Sequence, residues 1–320
     1  MIIVNYHNIV ERAPSAFSKL ARRWDTRKAV DRQIQLLATR YRVVPLDAMT
    51  DAIRNGRSIP RGCAITFDDG YLGAYQFGLP ILEQYGVPAT FFFITRTIHS
   101  TASPSVQYSD RLEARFELTR ETSLDLTEFG CPHLSWNDDQ AKAACVKAIT
   151  KKIKVTPVSV KEHLDRSINQ QLRVPEDCLD EHLQQEAYQM VGWSQVADLL
   201  QRGFQVGSHT RTHASLSQVD ASGLESEILG SYQDLTRRLN LESIPFAYPY
   251  GKHQHISEAA MLLAERVGYS CGLTTIKALN TSATGLFELR RIRFKDLTKP
   301  HRTANYAFDS STSSIRNASS

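Results

Sequence analysis

Two short strings carry residue types able to run hydrolytic chemistry: Thr66-Phe67-Asp68-Asp69-Gly70 and Ser208-His209-Thr210-Arg211-Thr212-His213. The first sets adjacent carboxylates after an alternating apolar run, residues 63–67. The second sets two imidazoles four residues apart after another strand-like run, 203–207. One carboxylate and two histidines make a three-ligand set for a catalytic zinc-type ion, with positions left open for water and substrate. The other carboxylate is then free to act as a base on that water. Each string alone has a plainer reading. Asp-Asp-Gly commonly makes a turn, and an i,i+4 histidine pair commonly decorates a surface. Together, at the ends of two expected strands, they point to a metal-dependent hydrolase.

The elements that must position these residues alternate along the chain. Strand-like runs are expected at 2–5, 42–46, 63–67, 89–95, 204–207, 244–248, 269–274 and 286–294. Helices are expected between many of them, at 29–40, 79–85, 193–201, 224–239 and 257–267, the last stopped by Gly268. Such alternation favours an α/β fold around a largely parallel sheet. Two further strand ends are polar: His7 follows residues 2–5, and Pro249-Tyr250-Gly251 follows 244–248. In a barrel of strands and helices, this edge is where active sites assemble.

The residues also resemble a known family. Tyr6-His7-Asn8-Ile9, Thr66 to Tyr71, Leu79-Pro80-Ile81-Leu82, Val87-Pro88-Ala89-Thr90-Phe91-Phe92, Gly207 to His213 and Phe246 to Gly251 stand in one order. That order is similar to the polysaccharide deacetylases of carbohydrate esterase family 4, the NodB-homology group. The resemblance covers residues 1–98 and 190–295, and it implies an irregular (β/α)7-8 TIM-like barrel. It implies Asp68 as catalytic base and Asp69, His209 and His213 as ligands of one divalent metal ion, Zn2+ first. Tyr250 would offer its backbone N–H to the oxyanion.

Two departures refine the resemblance. Ala247 stands where many members carry an arginine that braces the base, and no Leu-x-x-His motif follows residue 255. The chain looks like the subgroup opening with Tyr-His-x-Ile, which includes biofilm poly-N-acetylglucosamine deacetylases. There the opening histidine is the acid, which implies that role for His7. Leu289-Arg290-Arg291-Ile292 is similar to that subgroup's late Leu-Pro-Arg-Ile segment, so the resemblance makes Arg291 the candidate brace on Asp68.

Composition fits an enzyme domain with added material. The 320 residues are 42% hydrophobic, no run reaches the apolar length of a membrane span, and the formal net charge is +4. Nothing in that balance argues for nucleic acid. Lys147, Lys151, Lys152 and Lys154 read as a solvated helix face. Residues 99–189 are expected to form a helical insertion between barrel segments 1–98 and 190–300, with helices at 110–119, 137–154, 158–172 and 177–190. The helix at 158 should follow Thr156-Pro157, with proline at its first position. Tyr108, Phe116 and Trp136 are candidates either to stack on sugar rings or to fill the insertion's own small core. Residues 301–320 read as a flexible tail.

Five scattered cysteines make no disulfide framework, and Cys131…His133 and Cys178…His182 lack the paired spacing of a structural zinc site. With no leader-like opening, the reading is a reduced, cytoplasmic protein. The function expected is metal-dependent removal of an N-acetyl group from an amino sugar in a polysaccharide, glycolipid or other glycan precursor of surface-polysaccharide biosynthesis. The alternatives are deformylation of a lipid-linked amino sugar and a catalytically inactive carbohydrate-binding homologue.

Overall fold

Strand pleating sends alternate side chains to opposite faces, and here that parity separates the layer under the helices from the barrel interior. The computed structural model of the protein describes residues 1–22, 24–99 and 106–297. Its strands are β1 (Ile2–Tyr6), β2 (Ile9–Val10), β3 (Asp25–Thr26), β4 (Arg42–Val43), β5 (Gly62–Phe67) and β6 (Thr90–Phe93). They continue with β7 (Ser123–Leu124), β8 (Leu134–Ser135), β9 (Gln205–Ser208), β10 (Phe246–Ala247) and β11 (Gly272–Leu273). The main sheet is parallel and runs β1-β5-β6-β9-β10-β11, with β4 beside β5.

Residues 289–292 close this sheet. Leu289 bridges to Leu273 of β11 and Ile292 bridges to Val4 of β1, both in parallel. Ile292 donates its N–H to Ile3 and accepts from Asn5, each at 2.9 Å. The result is the irregular parallel barrel expected from the alternation of elements.

Along β1, Ile2, Val4 and Tyr6 pack outward with Cys63, Ile65 and Phe67 of β5 under the helices. Tyr6, Phe67 and Phe91 form a stacked row there, with centroids 5.3 and 4.9 Å apart. The opposite parity, Ile3, Ala64, Phe92, Ala247, Leu273 and Leu289, makes a second apolar cluster inside the barrel. Continuing upward on that parity come Asn5, Thr66 and Asp68. The pleat therefore delivers polar side chains into the barrel mouth above an apolar floor.

The helices are α1 (Ala16–Ala21), α2 (Arg27–Arg40), α3 (Leu46–Arg54), α4 (Leu79–Gln84), α5 (Tyr108–Leu118) and α6 (Asp139–Ile153). They continue with α7 (Val158–Leu172), α8 (Glu176–Leu183), α9 (Trp193–Gln201), α10 (Ala221–Leu239), α11 (Glu258–Val267) and α12 (Phe294–Leu297). Helix α11 starts on the Ser257 hydroxyl and stops at Gly268, whose φ of 105° suits glycine.

Several expectations need correction. The run at 42–46 is a strand only as far as Val43, because Pro45 turns the chain into α3, whose Leu46, Met49 and Ile53 join the interior cluster. The run at 286–294 makes two isolated bridges, and Phe294 already begins α12. Pro157 sits at the N-cap of α7 rather than at its first helical position, and the Thr156 hydroxyl turns back to the Lys152 carbonyl. Residues 301–320 lie outside the described residues.

Helices α5 to α8 stand between β6 and β9. Leu112, Phe116, Trp136, Val146 and Leu164 share a core with Phe17 and Ala21 of α1. A polar cluster ties this region to the barrel. Fully buried Asp110 accepts the Tyr71 hydroxyl at 2.9 Å and pairs with Arg22 at 2.7 Å. Glu113 takes the Arg22 Nε at 3.2 Å and the Ser18 hydroxyl at 2.5 Å. Burial pushes both carboxyls up, Glu113 to about 7, against the pull of Arg22.

Removing one partner of such a cluster leaves the others desolvated and unpaired. Asp110→Ala is expected to cost about 3 kcal/mol of stability. It should lower the denaturant midpoint in unfolding followed by tryptophan fluorescence. An unchanged midpoint would mean the cluster contributes nothing net.

Candidate active site

The turn after β5 carries Asp68, Asp69, Gly70 and Tyr71. Asp69 has φ 79° and Gly70 φ 83°. A side chain on Gly70 would meet the Phe93 ring at 2.8 Å, so glycine is needed both for conformation and for space. The turn is held from outside by residues 187–191. Val191 donates its N–H to the Gly70 carbonyl at 3.0 Å, and Leu72 donates to Gln189 at 2.8 Å. The Asn8 side chain donates to Ala187 at 2.6 Å.

The histidine loop after β9 is shaped by α10. Glu227 accepts the peptide N–H groups of Arg211 and Thr212, each at 2.9 Å, and the Thr212 hydroxyl at 2.5 Å. Asp234 pairs with Arg211 and accepts from the Thr95 hydroxyl. Thr210 and His213 both hold positive φ, 66° and 63°. Of the seven described non-glycine residues at positive φ, four are Asp69, Thr210, His213 and Tyr250. Strain of this kind persists only where the surroundings impose it, and here it gathers in one place.

That place joins Asp69, His209 and His213. Their ligand atoms all lie within 4.8 Å of one another. Asp69 Oδ1 stands 3.5 Å from His209 Nε2 and 3.4 Å from His213 Nε2. His209 Nδ1 lies 2.6 Å from the Ala247 carbonyl. A carbonyl only accepts, so Nδ1 is the donor of this bond and Nε2 is the nitrogen turned to Asp69. Burial, with the charges of His209, Lys154 and His7, pushes His213 down to about 3 against the pull of Asp69. It is thus neutral, the ligating form. Asp69 Oδ1 is buried without a hydrogen-bond partner among the described residues. Two imidazoles whose Nε2 atoms face an orphaned carboxylate oxygen fit a zinc-type ion.

Asp68 sits beside this set, 2% exposed. Arg291 Nη1 donates to Asp68 Oδ1 at 2.7 Å, while its Nε donates to the Thr274 carbonyl at 2.9 Å. Asn5 donates to Asp68 Oδ2 at 3.1 Å. Burial pushes the Asp68 carboxyl up, but the charge and hydrogen bond of Arg291, with His209 and His7, outweigh it. The carboxyl is held well below the usual carboxylate range.

The structure therefore brings Arg291 to Asp68 and gathers Asp69, His209 and His213. His7 and Tyr250 line the same cavity, of about 1040 Å³, with His7 exposed to solvent. The Tyr250 ring lies edge-on to His213 at 4.7 Å, and its φ is 60°. Among the aromatic candidates, Tyr108 lines the cavity, whereas Phe116 and Trp136 pack on each other at 5.2 Å in the core of the helical stretch.

Sequence reasoning missed Asn5, Glu227 and Asp110, because a polar residue that supports a site from another element has no motif of its own. It also read Lys154 as surface. Lys154 ends α6 and lines the cavity, its ammonium 4.7 Å from the Tyr250 ring centroid.

A parallel barrel presenting a carboxylate–histidine pocket and a braced second carboxylate at its strand ends has the form of a metallohydrolase. The profile of the polysaccharide deacetylase family matches residues 56–272, and the chain belongs to that family. YxkH of Bacillus subtilis (strain 168), named for the same family, is 21% identical over 229 residues, 72% of this chain and 50% of YxkH. The chain thus spans about half the length of that curated relative.

Among solved structures, the Streptococcus pyogenes deacetylase PplD in complex with acetate superposes with a TM-score of 0.57 at 20% identity, covering 92% of this chain and 91% of PplD. IcaB from Ammonifex degensii gives 0.55 at 16%, covering 95% and 94%. A de-N-acetylase from Aggregatibacter actinomycetemcomitans gives 0.53 at 14%, covering 95% and 98%. At these identities the likeness speaks for the fold.

Two outcomes follow from the geometry. His213→Ala removes one of three ligands, and metal content measured by elemental analysis should fall from one zinc per chain to near none. Retained zinc would exclude His213 as a ligand. Arg291→Ala removes the strongest influence lowering the Asp68 pKa, so Asp68 would protonate at higher pH. The acidic limb of kcat/KM against pH should move upward, and an unmoved limb would separate Arg291 from the base.

Proposed function

We propose that this chain hydrolyses the N-acetyl amide of an amino sugar in a polysaccharide or glycan precursor, with one divalent ion, zinc first, held by Asp69, His209 and His213. The observation that carries the reading is the buried Asp68–Arg291 pair beside that ligand set, within a cavity large enough for a saccharide. A base needs its lone pair available at working pH, and Arg291 keeps Asp68 ionised. When bound, the ion would lower the pKa of a water towards about 7 and polarise the amide carbonyl.

Asp68 takes the proton of the attacking water while Arg291 and Asn5 hold its two oxygens in place. The water oxygen bonds to the acetyl carbon, and the carbonyl oxygen gains negative charge facing the Tyr250 peptide N–H. His7 gives a proton to the sugar nitrogen as the carbon–nitrogen bond breaks. Collapse gives the free amine and acetic acid, which loses its remaining proton to become acetate, while Asp68 gives its proton to solvent and His7 takes one back. The extended surface provided by α5 to α8 selects among acylated sugars, since chain built onto the strand-end face of a barrel sets specificity.

Zinc-loaded protein incubated with N-acetylglucosamine oligosaccharides should release acetate, and a chelator should stop it. Asp68→Asn and His7→Ala should each keep the zinc and lose about 10²–10⁴-fold in kcat, the usual range for a general base or acid. Formate from N-formyl substrates, with no acetate from N-acetyl ones, would redirect the assignment to deformylation. A fully active His7→Ala protein would remove His7 from proton transfer.

A further inference from the structure

Of the Lys and Arg side chains lining the cavity, ten in all against five Asp and Glu, several are spoken for. Arg291 is paired with Asp68, Arg22 with Asp110 and Glu113, Arg111 with Glu176 and Lys277 with Asp296. Arg96, Lys154, Lys161 and Lys252 are in no ion pair among the described residues, and of these four Lys154 and Lys252 stand nearest Tyr250, Lys154 over its ring and Lys252 two residues along the chain. Neither has a carboxylate within 4.0 Å among the described residues, yet both border the cavity beside Tyr250. They come from distant parts of the chain, Lys154 from the end of α6 and Lys252 from the loop after β10.

Their neighbourhood is cationic. Burial and then the charge of Lys252 push the Lys154 ammonium down, against the pull of Asp69. Burial and then the charges of Lys154 and Lys252 push His255 down to about 4. Two ammonium groups that border one cavity, Lys154 half-buried and Lys252 exposed, repel one another, and the repulsion is relieved when a shared anion lies between them. A neutral polymer offers no such group.

We propose that Lys154 and Lys252 form a clamp for an oxyanion carried by the substrate, so that the acylated amino sugar is an anionic saccharide: a glycosyl phosphate or a uronate. This rests on the hydrolase reading above and names its substrate class. Lys154 belongs to the stretch between β6 and β9, so that stretch reaches the reaction site through a charge. The ion held by Asp69, His209 and His213 adds to the positive potential but sits on separate residues, which lets the two contributions be told apart.

The test uses the full chain loaded with zinc, and three ligands: N-acetylglucosamine 1-phosphate, the methyl glycoside of N-acetylglucosaminuronic acid, and neutral methyl N-acetylglucosaminide. Affinities are measured by calorimetry in the Asp68→Asn protein, and acetate release is measured in the wild type. At least one anionic ligand should bind ten-fold or more tightly than the neutral one. The arm that gains identifies phosphate or carboxylate.

Lys154→Gln and Lys252→Gln should each erase most of that preference, Lys154→Arg should keep it, and raising the salt concentration should weaken it. Equal affinity for all three ligands, or a preference intact in the Lys154→Gln/Lys252→Gln double variant, overturns the clamp. Acetate from the neutral sugar together with equal affinities leaves the hydrolase reading standing and the clamp refuted. A lysine-dependent anionic preference with no acetate from any ligand does the reverse.

Discussion

The ion pair between Arg291 and Asp68 is the interaction on which the rest of the site depends. A carboxylate taken out of water without a counter-charge takes up a proton and loses its use as a base. Asp68 is buried because the pleat of β5 points it into the barrel, so a cation must be delivered there. In this chain the position at β10 that could supply one is Ala247, whose side chain belongs to the apolar interior. The cation comes instead from residues 289–292, the segment that closes the ring between β11 and β1. Closing the barrel and pairing the buried Asp68 carboxylate with a cation are one structural event. Asn5 reinforces this, since its peptide N–H bonds to Ile292 while its side chain bonds to Asp68.

A second constraint is conformational. The residues that would meet the ion sit on turns that ordinary side chains avoid, and each turn has a restraint from a different element. Glu227 of α10 collects the N–H groups of the histidine loop, while residues 187–191 take up the backbone of the Asp68–Leu72 turn. Each restraint is a polar group satisfied across a long sequence separation. The strained turns are therefore stable only in the assembled fold, which turns His209 and His213 toward Asp69.

Much of this was legible in the sequence because chemistry restricts residue choice. Adjacent carboxylates after an alternating run located the end of β5. The i,i+4 histidines fixed the end of β9. Strands only two residues long, such as β10 and β11, were still detectable as apolar runs, since burial on both faces demands apolar residues whether or not a long ladder forms. What escaped has a common reason. Residues 44–46 looked like the tail of a strand because Val44 and Leu46 follow β4 directly, and only Pro45 marks the change to the helix that Leu46 opens. Asp110, Glu227 and Lys154 look like ordinary helical surface, because a helix face that packs on a polar site carries the same residues as one that faces water.

The stretch between β6 and β9 is more than an addition to a finished barrel. Through Asp110 it binds the hydroxyl of Tyr71, the residue two beyond Asp69, and through residues 187–191 it holds the backbone of the same turn. Through Lys154 it places a charge over Tyr250. The first two contacts act on the geometry of the turn that carries Asp69, the third on the charge of the cavity. They are physically separable: the Asp110 and Glu113 carboxylates are buried and bridge to α1, whereas Lys154 stands half-buried at the cavity's border. A chain that needed only specificity could keep Lys154 on a loop and dispense with the buried cluster. This chain has both, so altering α5 to widen the cavity would disturb the Asp68–Leu72 turn through Tyr71, whereas altering Lys154 would change the charge near Asp69 and His213 and leave that turn's hydrogen bonds in place.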